Sequence, residues 1–585
     1  MHLVALDLIV LIAFVLLFLI VGLYYTRQAG QNTASFFLGG RNLPWWIAGT
    51  SMVATTFAAD TPLLITELVA NYGVSGNWLW WNGLIGGMIT TFFFARLWRR
   101  ANILTDVALI ELRYGTGPAA RFLRGFKAVY LGILLNSVII AWVNIALGKL
   151  LMGFFDVPPQ HLGGYYLLAM LLVGVYSGLS GLLGVAMTDF VQFITAMLGT
   201  IVLAFLVVNS EKIGGLAGLK AALPAETFQF WPQIDFSGES LVKTSQVLVI
   251  SGATFLSYIG FQWWASWYPG AEPGGGGYVA QRMMSTPREK DALKATLLFQ
   301  VMHYAVRPLP WILVGLASVV LYPELPEKEK GLGYVFAMRD FLPDGWRGLL
   351  LAAFLAAYMS TISTQLNWGS SYLIHDLYQR FVHPQASERQ LVLFSRLSTL
   401  VLIVCAWGVT TQMQTLEGAF RFMVNAGAGL GAVLMLRWYW WRINAWSELS
   451  ATFAPLGSYS VALFAWKWDD TSAFFLSIGF TTLVWLLVTF LTRPVAMAQL
   501  RIFCQQVRPT GFWHPVWQDL GQAPPVAQTG SLLGASLGAL LLAFGALFTA
   551  GSLLFLEWAW AGLYSLLFLT GLFILGYFVR QKALF

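Results

Sequence analysis

Long apolar segments alternate with short polar ones along the whole chain. Their lengths predict about fifteen membrane-spanning helices, since roughly 20 apolar residues cross a bilayer. We number the predicted spans in chain order, at approximately 4–24, 44–70, 77–97, 126–153, 163–183, 186–208, 245–268, 293–321, 348–375, 391–412, 418–440, 446–467, 472–492, 530–555 and 556–579. The first is too long for a signal peptide and lacks a cleavage motif, so we expect a retained helix.

The composition agrees with this pattern. Of the 585 residues, 58% are hydrophobic and 10% are charged, and the mean hydropathy is +0.68. Soluble domains carry about 25% charged residues. The chain is therefore predicted to be an all-α integral membrane protein, because helices satisfy their own backbone hydrogen bonds in lipid.

Lys and Arg collect after every second predicted span, so they share one side if each span crosses once. That side is expected to be cytoplasmic, which places the N-terminus outside and the C-terminus inside a plasma or inner membrane. The positive net charge of +7 reflects these loops and does not indicate nucleic-acid binding. On the other side, the loops near 209–243 and 322–347 are expected to carry short surface helices.

Two predicted spans contain breaks. In span two, Pro62 disfavours a helical conformation at Thr61, so the helix should break near mid-membrane beside Asp60. An intramembrane carboxylate indicates a functional site, although an ion pair or hydrogen bonds to freed amides would also explain it. Span seven ends in Trp and Tyr residues followed by the Gly-rich 273–277. Breaks five spans apart indicate two five-helix units, 2–6 and 7–11, the second inverted, as in transporters.

Span nine carries hydroxyl groups on one face. Ser360, Ser363 and Thr364 stand at i, i+3 and i+4, and Ala357 and Thr361 form a second i, i+4 pair. Hydroxyl oxygens at membrane depth could bind a hard cation. Alternatively, they could pack helices together or bond to their own backbone.

Four stretches in this order resemble the sodium:solute symporter family, which shares the inverted-repeat fold of the leucine transporter. The four stretches are 36–43, 187–192, 278–282 and 359–367 with 376–378. The resemblance implies a LeuT-like 5+5 core with discontinuous helices. The implied organisation is an extra N-terminal helix (1–30), a first repeat (36–210), a second repeat (244–442) and additional C-terminal helices (443–585).

The resemblance also implies Na⁺ as the coupling ion and a sodium site between spans two and nine. Its ligands would be three backbone carbonyls and two hydroxyls, those of Ala54, Phe57, Ala357, Ser360 and Thr361. Some relatives bind a second sodium, for which the corresponding residues are Asp189, Ser363 and Thr364. Asp189 could instead be a helix-start carboxylate near the cytoplasmic face.

The substrate site is expected beside the first break, with aromatic walls from span seven. Its candidate residues are Thr55, Thr56, Asp60, Thr61, Trp264, Trp267 and Tyr268. A carboxylate there could accept hydrogen bonds from sugar hydroxyls or pair with an ammonium group, whereas the aromatic residues could equally be lipid-interface packing. Arg307 in span eight is the other intramembrane charge. It could bind a substrate carboxylate, pair with an acid or extend to the interface near a helix end, and with two prolines beside it we favour a structural role.

We therefore predict a sodium-coupled symporter, not an enzyme, that imports a small polar organic solute by alternating access. A sugar or polyol is favoured and an amino acid comes next. A proton-coupled carrier of the same fold and a transporter-like sensor are the alternatives, although no soluble signalling domain is visible. The expected partners are the solute and the lipid bilayer, with no nucleic acid. The sequence does not give the oligomeric state.

Overall fold

The structure is a computed structural model that describes residues 3–29, 31–58, 60–236, 242–243, 247–266, 272–413 and 427–582. Its α-helices are α1 Ala5–Ala29, α2 Thr33–Leu38, α3 Trp45–Thr55, α4 Asp60–Tyr72, α5 Trp78–Trp81, α6 Gly83–Ile89, α7 Ala95–Ala101, α8 Leu109–Tyr114, α9 Pro118–Val129, α10 Asn136–Phe155, α11 Leu162–Val208, α12 Gly215–Ala222, α13 Gly252–Leu256, α14 Trp263–Ala265, α15 Gly277–Ser285, α16 Glu289–Val301, α17 Pro308–Leu321, α18 Leu332–Phe341, α19 Trp346–Ser371, α20 Glu388–Gln412, α21 Leu430–Tyr439, α22 Ala445–Ser460, α23 Asp470–Leu491, α24 Met497–Val507, α25 His514–Asp519, α26 Thr529–Leu554 and α27 Trp558–Lys582.

Short helical segments of other types join or extend these helices. The π-helical segments are Thr90–Phe94, Tyr130–Leu135, Ser257–Gln262, Met302–Val306, Tyr372–Val382 and Val461–Ala465. The 3₁₀ segments are Gly39–Arg41, Val74–Asn77, Pro159–His161, Ala225–Phe228 and Glu327–Glu329.

Helical segments lie at the positions of the predicted spans. Among the described residues, eight helices are individually long and apolar enough to cross a membrane, and nine if the bent pair α3 and α4 counts as one span. The number fifteen therefore stays a prediction. Part of span eleven, 418–426, lies outside the described residues.

The first break lies slightly earlier than the sequence predicts. Helix α3 ends at Thr55 and α4 begins at Asp60, and the chain bends by 58° between the two helices. Thr61 and Pro62 are helical, contrary to the expectation that Pro62 excludes Thr61 from the helix. The physical reason is position, since proline fits the first turn of a helix, where its missing N–H donor is not needed.

The loops on the predicted outer side contain the expected short helices, α12 and α18. The loop that contains α12 also includes a small three-stranded sheet. Its strands are β1 Gln233–Asp235, β2 Val242–Lys243 and β3 Leu248–Ser251, in the order β1-β3-β2. β1 pairs in parallel with β3, and β2 pairs antiparallel to it. Consequently the start of predicted span seven is a strand rather than a helix.

Close helix contacts hold the broken helix inside the bundle. A Cβ atom built on Gly49 of α3 would lie 2.8 Å from the carbonyl oxygen of Ala295 in α16. A Cβ atom on Gly199 of α11 would lie 2.7 Å from the Leu350 side chain of α19. Because glycine has no side chain, the helices can approach closely at these positions, as is common between membrane helices. The end of α3 is thereby enclosed by α11, α16 and α19.

Candidate cation and solute site

The hydroxyl face of α19 meets the end of α3. Thr361 donates a hydrogen bond from Oγ1 to the carbonyl oxygen of Thr55 at 3.0 Å. Thr55 is the last residue of α3, and its carbonyl is one of those that a helix end leaves without an intrahelical partner. Both side chains are buried. The break in span two and the hydroxyls of span nine are therefore in direct contact.

Asp189 lies at the centre of a buried polar cluster. Ser51 of α3 and Ser360 of α19 each donate a hydroxyl hydrogen bond to its carboxylate, at 2.5 Å. Its side chain is fully buried inside the second half of α11, which follows a kink at Gly181. This position does not match the alternative of a helix-start carboxylate near the cytoplasmic face.

Arg282 of α15 completes the cluster, and the sequence analysis did not assign it a role. Its guanidinium lies 4.0 Å from the Asp189 carboxylate. It donates hydrogen bonds to Ser51 Oγ at 3.2 Å and to Thr364 Oγ1 at 2.9 Å. A third goes to Thr55 Oγ1 at 3.3 Å. The only signal in the sequence is its place in the stretch 278–282, where its neighbours suggest a surface loop rather than a buried charge.

Ser363 differs from its neighbours on the same helix. Its hydroxyl donates to the carbonyl oxygen of Ser360 in its own helix, at 2.9 Å. Its own carbonyl accepts a hydrogen bond from Ser177 of α11 at 3.1 Å. Of the three residues named for a second ion, Asp189 and Thr364 both approach Arg282, whereas Ser363 bonds along the helix.

Two of the three residues named as carbonyl ligands of the sodium site, Ala54 and Phe57, lie at the end of α3. The carbonyl oxygen of Ala54 accepts the Phe57 N–H at 3.0 Å, which closes the last turn of α3. The Phe57 ring packs against Trp311 and Phe354, with ring centroids 5.0 and 6.0 Å away. Ala357 is fully buried on α19.

Arg307 supports the broken helix from the side of α17. Its guanidinium donates to the carbonyl oxygen of Val53 at 3.1 Å and to Thr56 Oγ1 at 3.3 Å. Thr56 is also within 3.0 Å of His303 Nδ1. Arg307 lies over the Trp311 ring, 5.4 Å from its centroid. These contacts agree with the structural role favoured for Arg307, because the side chain satisfies a carbonyl near the helix end.

A small cavity of about 20 Å³ lies between α6, the end of predicted span seven and α16. Its lining is rich in amides, with a carboxylate and two aromatic rings: Asn82, Gln262, Glu272, Gln300, Trp263 and Tyr304. The acceptor Oε1 of Gln300 is buried and has no hydrogen-bond partner among the described residues. Buried acceptors are normally satisfied, so this atom is suited to a ligand or water. The sequence analysis missed Asn82, Gln262, Glu272 and Gln300.

The described residues predicted for the substrate site do not line the cavity; they are Thr55, Thr56, Asp60, Thr61 and Trp264. Thr61 Oγ1 donates to the Thr56 carbonyl at 3.2 Å, and Asp60 begins α4. Trp264 is not among the residues that line the cavity; its ring packs on Phe261, at 5.7 Å between centroids. Its neighbour Trp263 lines the cavity instead. Trp267 and Tyr268 lie outside the described residues.

Asp106 connects this region to the loops, outside the membrane-spanning segments. Its carboxylate accepts the backbone N–H of Gly277, the first residue of α15, at 2.9 Å, and it is hydrogen-bonded by the Tyr372 hydroxyl. Burial raises the pKa of this carboxyl. The start of the helix that carries Arg282 is therefore fixed by a side chain from another part of the chain.

Comparison with known proteins identifies the family. The model of the sodium:solute symporter family matches residues 36–454. The chain belongs to the sodium:solute symporter family. The resemblance noted in the sequence is confirmed, and members of this family are Na⁺-coupled transporters rather than enzymes.

Individual relatives of this symporter are distant but match over most of the chain. A sodium/glucose cotransporter of Vibrio parahaemolyticus is 23% identical over 77% of this chain and 83% of its own length. The sodium/sialic acid symporter NanT of Aliivibrio fischeri is 25% identical over 84% of this chain and 93% of its own. The osmoregulated proline transporter OpuE of Bacillus subtilis is 27% identical over 57% of this chain and 64% of its own length.

The fold is likewise that of a solved symporter. The structure of a substrate-bound, outward-open Na⁺-coupled sialic acid symporter matches with a TM-score of 0.66 and 19% identity, covering 84% of this chain and 99% of that one. The predicted LeuT-like fold is confirmed, and it is mostly helical, with the small sheet of β1, β2 and β3 in addition to the predicted helices. The multi-pass membrane location is also supported, while the orientation of the termini stays a prediction.

Proposed function

We propose that this symporter imports a sugar or a related polyol together with Na⁺. The observation that carries the proposal is the buried, amide-rich cavity lined by Asn82, Gln262, Glu272 and Gln300. Amide and carboxylate groups offer both donors and acceptors, which suit a ring of hydroxyl groups. Trp263 adds an aromatic surface on which the apolar face of a sugar can pack.

The charge of the cavity supports a neutral solute. Among the described residues that line the cavity, Glu272 is the one that carries a charge, and none is a Lys or Arg. A solute with a free carboxylate would therefore lack a cationic partner at this place, and burying it unpaired would be costly. An amino acid, whose ammonium group Glu272 could pair with, is the second candidate, and the likeness to OpuE favours it.

The small cavity must open and close during transport to give the solute access. Ligand pockets for small molecules have volumes of about 300–1,000 Å³, whereas this cavity measures about 20 Å³. We infer that the helices around the cavity separate to admit the solute and close again around it. Alternation between outward and inward openings would carry the solute across.

We propose that Na⁺ binds where α19 meets the end of α3. The ligands would be the carbonyls of Ala54, Phe57 and Ala357 and the hydroxyls of Ser360 and Thr361. What supports this is the contact of Thr361 with the Thr55 carbonyl and the complete burial of this junction. An ion shared by the two helices would tie the broken helix to α19 and favour one arrangement of the bundle.

A second Na⁺ at Asp189, Ser363 and Thr364 would have to compete with Arg282. The guanidinium already donates to Thr364 and lies 4.0 Å from Asp189. A further cation there gains less because the carboxylate has a positive neighbour. We therefore favour one Na⁺ per cycle, for which the membrane potential contributes about 2.3 kcal/mol per 100 mV.

Uptake by the purified protein in liposomes tests the proposal. Radiolabelled sugars, polyols and amino acids are offered with an inward Na⁺ gradient, with choline in place of Na⁺, and with an inward proton gradient in choline. We expect uptake of a sugar or polyol that depends on Na⁺. Equal uptake in choline with a proton gradient would favour the proton-coupled alternative, and uptake of amino acids alone would favour the second candidate.

A variant links the uptake to the cavity. Gln300→Ala removes the buried acceptor and should raise the KM for the solute by about tenfold, the cost of one to two hydrogen bonds. Gln385→Ala, at an exposed loop position, is the matched control. An unchanged KM in Gln300→Ala, with Na⁺-dependent uptake intact, would remove the cavity from the proposed solute site.

A further inference from the structure

A second and larger cavity opens at the basic end of the molecule, away from the transport site. Its volume is about 640 Å³. It lies between α7, the end of α21, the chain from α24 to α26, and the start of α26. Its lining includes three arginines, Arg96, Arg100 and Arg508, and the aromatic residues Phe92, Phe93 and Trp517.

The walls of this cavity combine positive charge with apolar surface. Arg96, Arg100 and Arg508 line it, and no Asp or Glu is found among the described residues of its lining. Of the nearby carboxylates, Glu289 pairs with Arg100 at 2.8 Å, and Asp519 pairs with Arg501, which is not part of the lining. Three guanidinium groups therefore line a cavity to whose described lining no carboxylate contributes.

The cavity is held in shape by contacts between distant parts of the chain. Tyr439 donates from its hydroxyl to the carbonyl oxygen of Phe93 at 2.7 Å. Arg100 reaches the Val507 carbonyl at 3.4 Å, at the end of α24. Trp517 Nε1 donates to the Pro509 carbonyl at 3.3 Å. The arginines therefore project from a folded frame rather than from a loose tail.

We propose that this cavity binds a phosphate-bearing anion. Arginine suits this ligand because its planar guanidinium can donate two parallel hydrogen bonds to phosphate oxygens. The aromatic and aliphatic side chains beside the arginines match a molecule that also has an apolar part. An anionic phospholipid satisfies both halves, since basic pockets between membrane helices on the cytoplasmic side hold such headgroups.

A lipid in this place would join α7 to α26, which lies outside the proposed repeats. Helix α6, which continues through Thr90–Phe94 into α7, already contacts α26, since Ser536 Oγ lies 3.5 Å from the Met88 carbonyl oxygen. Bound anion would add a link between the transport core and the C-terminal helices. This role is separate from solute transport and does not depend on the identity of the solute.

Two titrations of the delipidated, detergent-solubilised protein distinguish the sources of phosphate. Native mass spectrometry follows the binding of phosphatidylglycerol, with zwitterionic phosphatidylcholine as the reference lipid. Thermal unfolding follows the binding of inorganic phosphate. We expect preferential binding of phosphatidylglycerol, weakened about fivefold for each arginine removed, since one basic residue near anionic lipid contributes about that factor.

The variants are Arg508→Gln, at an exposed position, and the double variant Arg96→Gln/Arg508→Gln. The matched control is Arg121→Gln/Arg389→Gln, which removes two charges from exposed positions in other predicted cytoplasmic loops. Weakened phosphatidylglycerol binding in the first two variants but not in the control supports a lipid site. Binding of inorganic phosphate that is weakened in the first two variants but not in the control supports a site for a soluble phosphate. The proposal is overturned if neither ligand binds, or if Arg508→Gln binds both as wild type does.

Discussion

Arg307 and Arg282 are both buried, yet they contact different groups. Arg307 donates to the backbone of α3 and to Thr56, whereas Arg282 sits among the hydroxyls around Asp189. A buried charge is tolerated only when it is paired or fully hydrogen-bonded. The first arginine therefore supports the shape of the break, and the second sets the charge beside the proposed ion site.

Arg307→Gln should destabilise the protein without changing its Na⁺ dependence. Glutamine cannot reproduce the charged hydrogen bonds to the Val53 carbonyl and Thr56, so we expect a loss of about 2 kcal/mol of stability. Thermal unfolding in detergent measures this loss, with the exposed Arg389→Gln as control. A normal unfolding temperature together with a raised KM for the solute would instead assign Arg307 to solute binding.

Asp189 and Arg282 should depend on each other. Removing one member of a buried pair leaves the other charge without compensation, which costs about 3 kcal/mol or more. We expect Asp189→Asn and Arg282→Gln each to lower the unfolding temperature markedly, and the double variant to lower it by less than the sum of the two. Additive losses would show that the two charges do not interact, despite their separation of 4.0 Å.

Glycine positions control how closely the helices approach at the solute cavity. A Cβ atom on Gly87 of α6 would lie 2.1 Å from Gln300 Oε1, and one on Gly86 would lie 2.8 Å from the carbonyl oxygen of Trp263. Separations below 3 Å force a neighbour to move. The flexible Gln300 side chain can move, whereas the Trp263 backbone can do so only if the helix shifts.

Gly87→Ala should therefore impair solute binding while the fold survives. The added methyl group displaces the Gln300 amide from its present place, so we expect KM to rise about tenfold, as for loss of a hydrogen bond. Gly479→Ala is the control, because a Cβ atom there meets nothing within 4 Å. Uptake kinetics that are the same in both variants would contradict a solute site at Gln300.

The elements of this fold could be predicted well from hydropathy, but the site only in part. The hydroxyls of Ser360 and Thr361 were identifiable because their spacing is local and their neighbours are apolar. Gln300 and Asn82 were not, because an amide inside an apolar helix gives no local sign of which cavity it faces. The position of the first break was off because Pro62 occupies the first turn of α4, where proline does not end a helix.

Arg282 shows the same limit more clearly. Its motif was recognised, but its partners come from α3, α11 and α19. Long-range packing of this kind leaves no periodic signal in the sequence. The larger cavity cannot be predicted for a related reason: Arg96 and Arg508 are far apart in the sequence, and each by itself indicates only on which side of the membrane its loop lies.

At the scale of the whole molecule, the junction of α3 and α19 is connected to the solute cavity through neighbouring elements. Helix α15 carries Arg282, which bonds to α3, and Val279, which lines the cavity. The segment Met302–Val306 carries His303, within 3.0 Å of Thr56, and Tyr304, which also lines the cavity. Binding of an ion at the junction would therefore act on the solute through these two elements. Coupling of this kind is reciprocal, so Na⁺ and solute should each raise the affinity for the other by the same factor.

Direct binding of ²²Na⁺ to the purified protein, without any solute, tests the central claim that α3 and α19 hold the coupling ion. We expect saturable binding by the wild type and a loss of affinity of about tenfold in Thr361→Ala, because a hydroxyl ligand is removed. Thr361→Ser should retain binding, and Ser371→Ala, whose hydroxyl bonds along its own helix at 2.6 Å, should behave as wild type. Wild-type affinity in Thr361→Ala and in Ser360→Ala would contradict the proposed site.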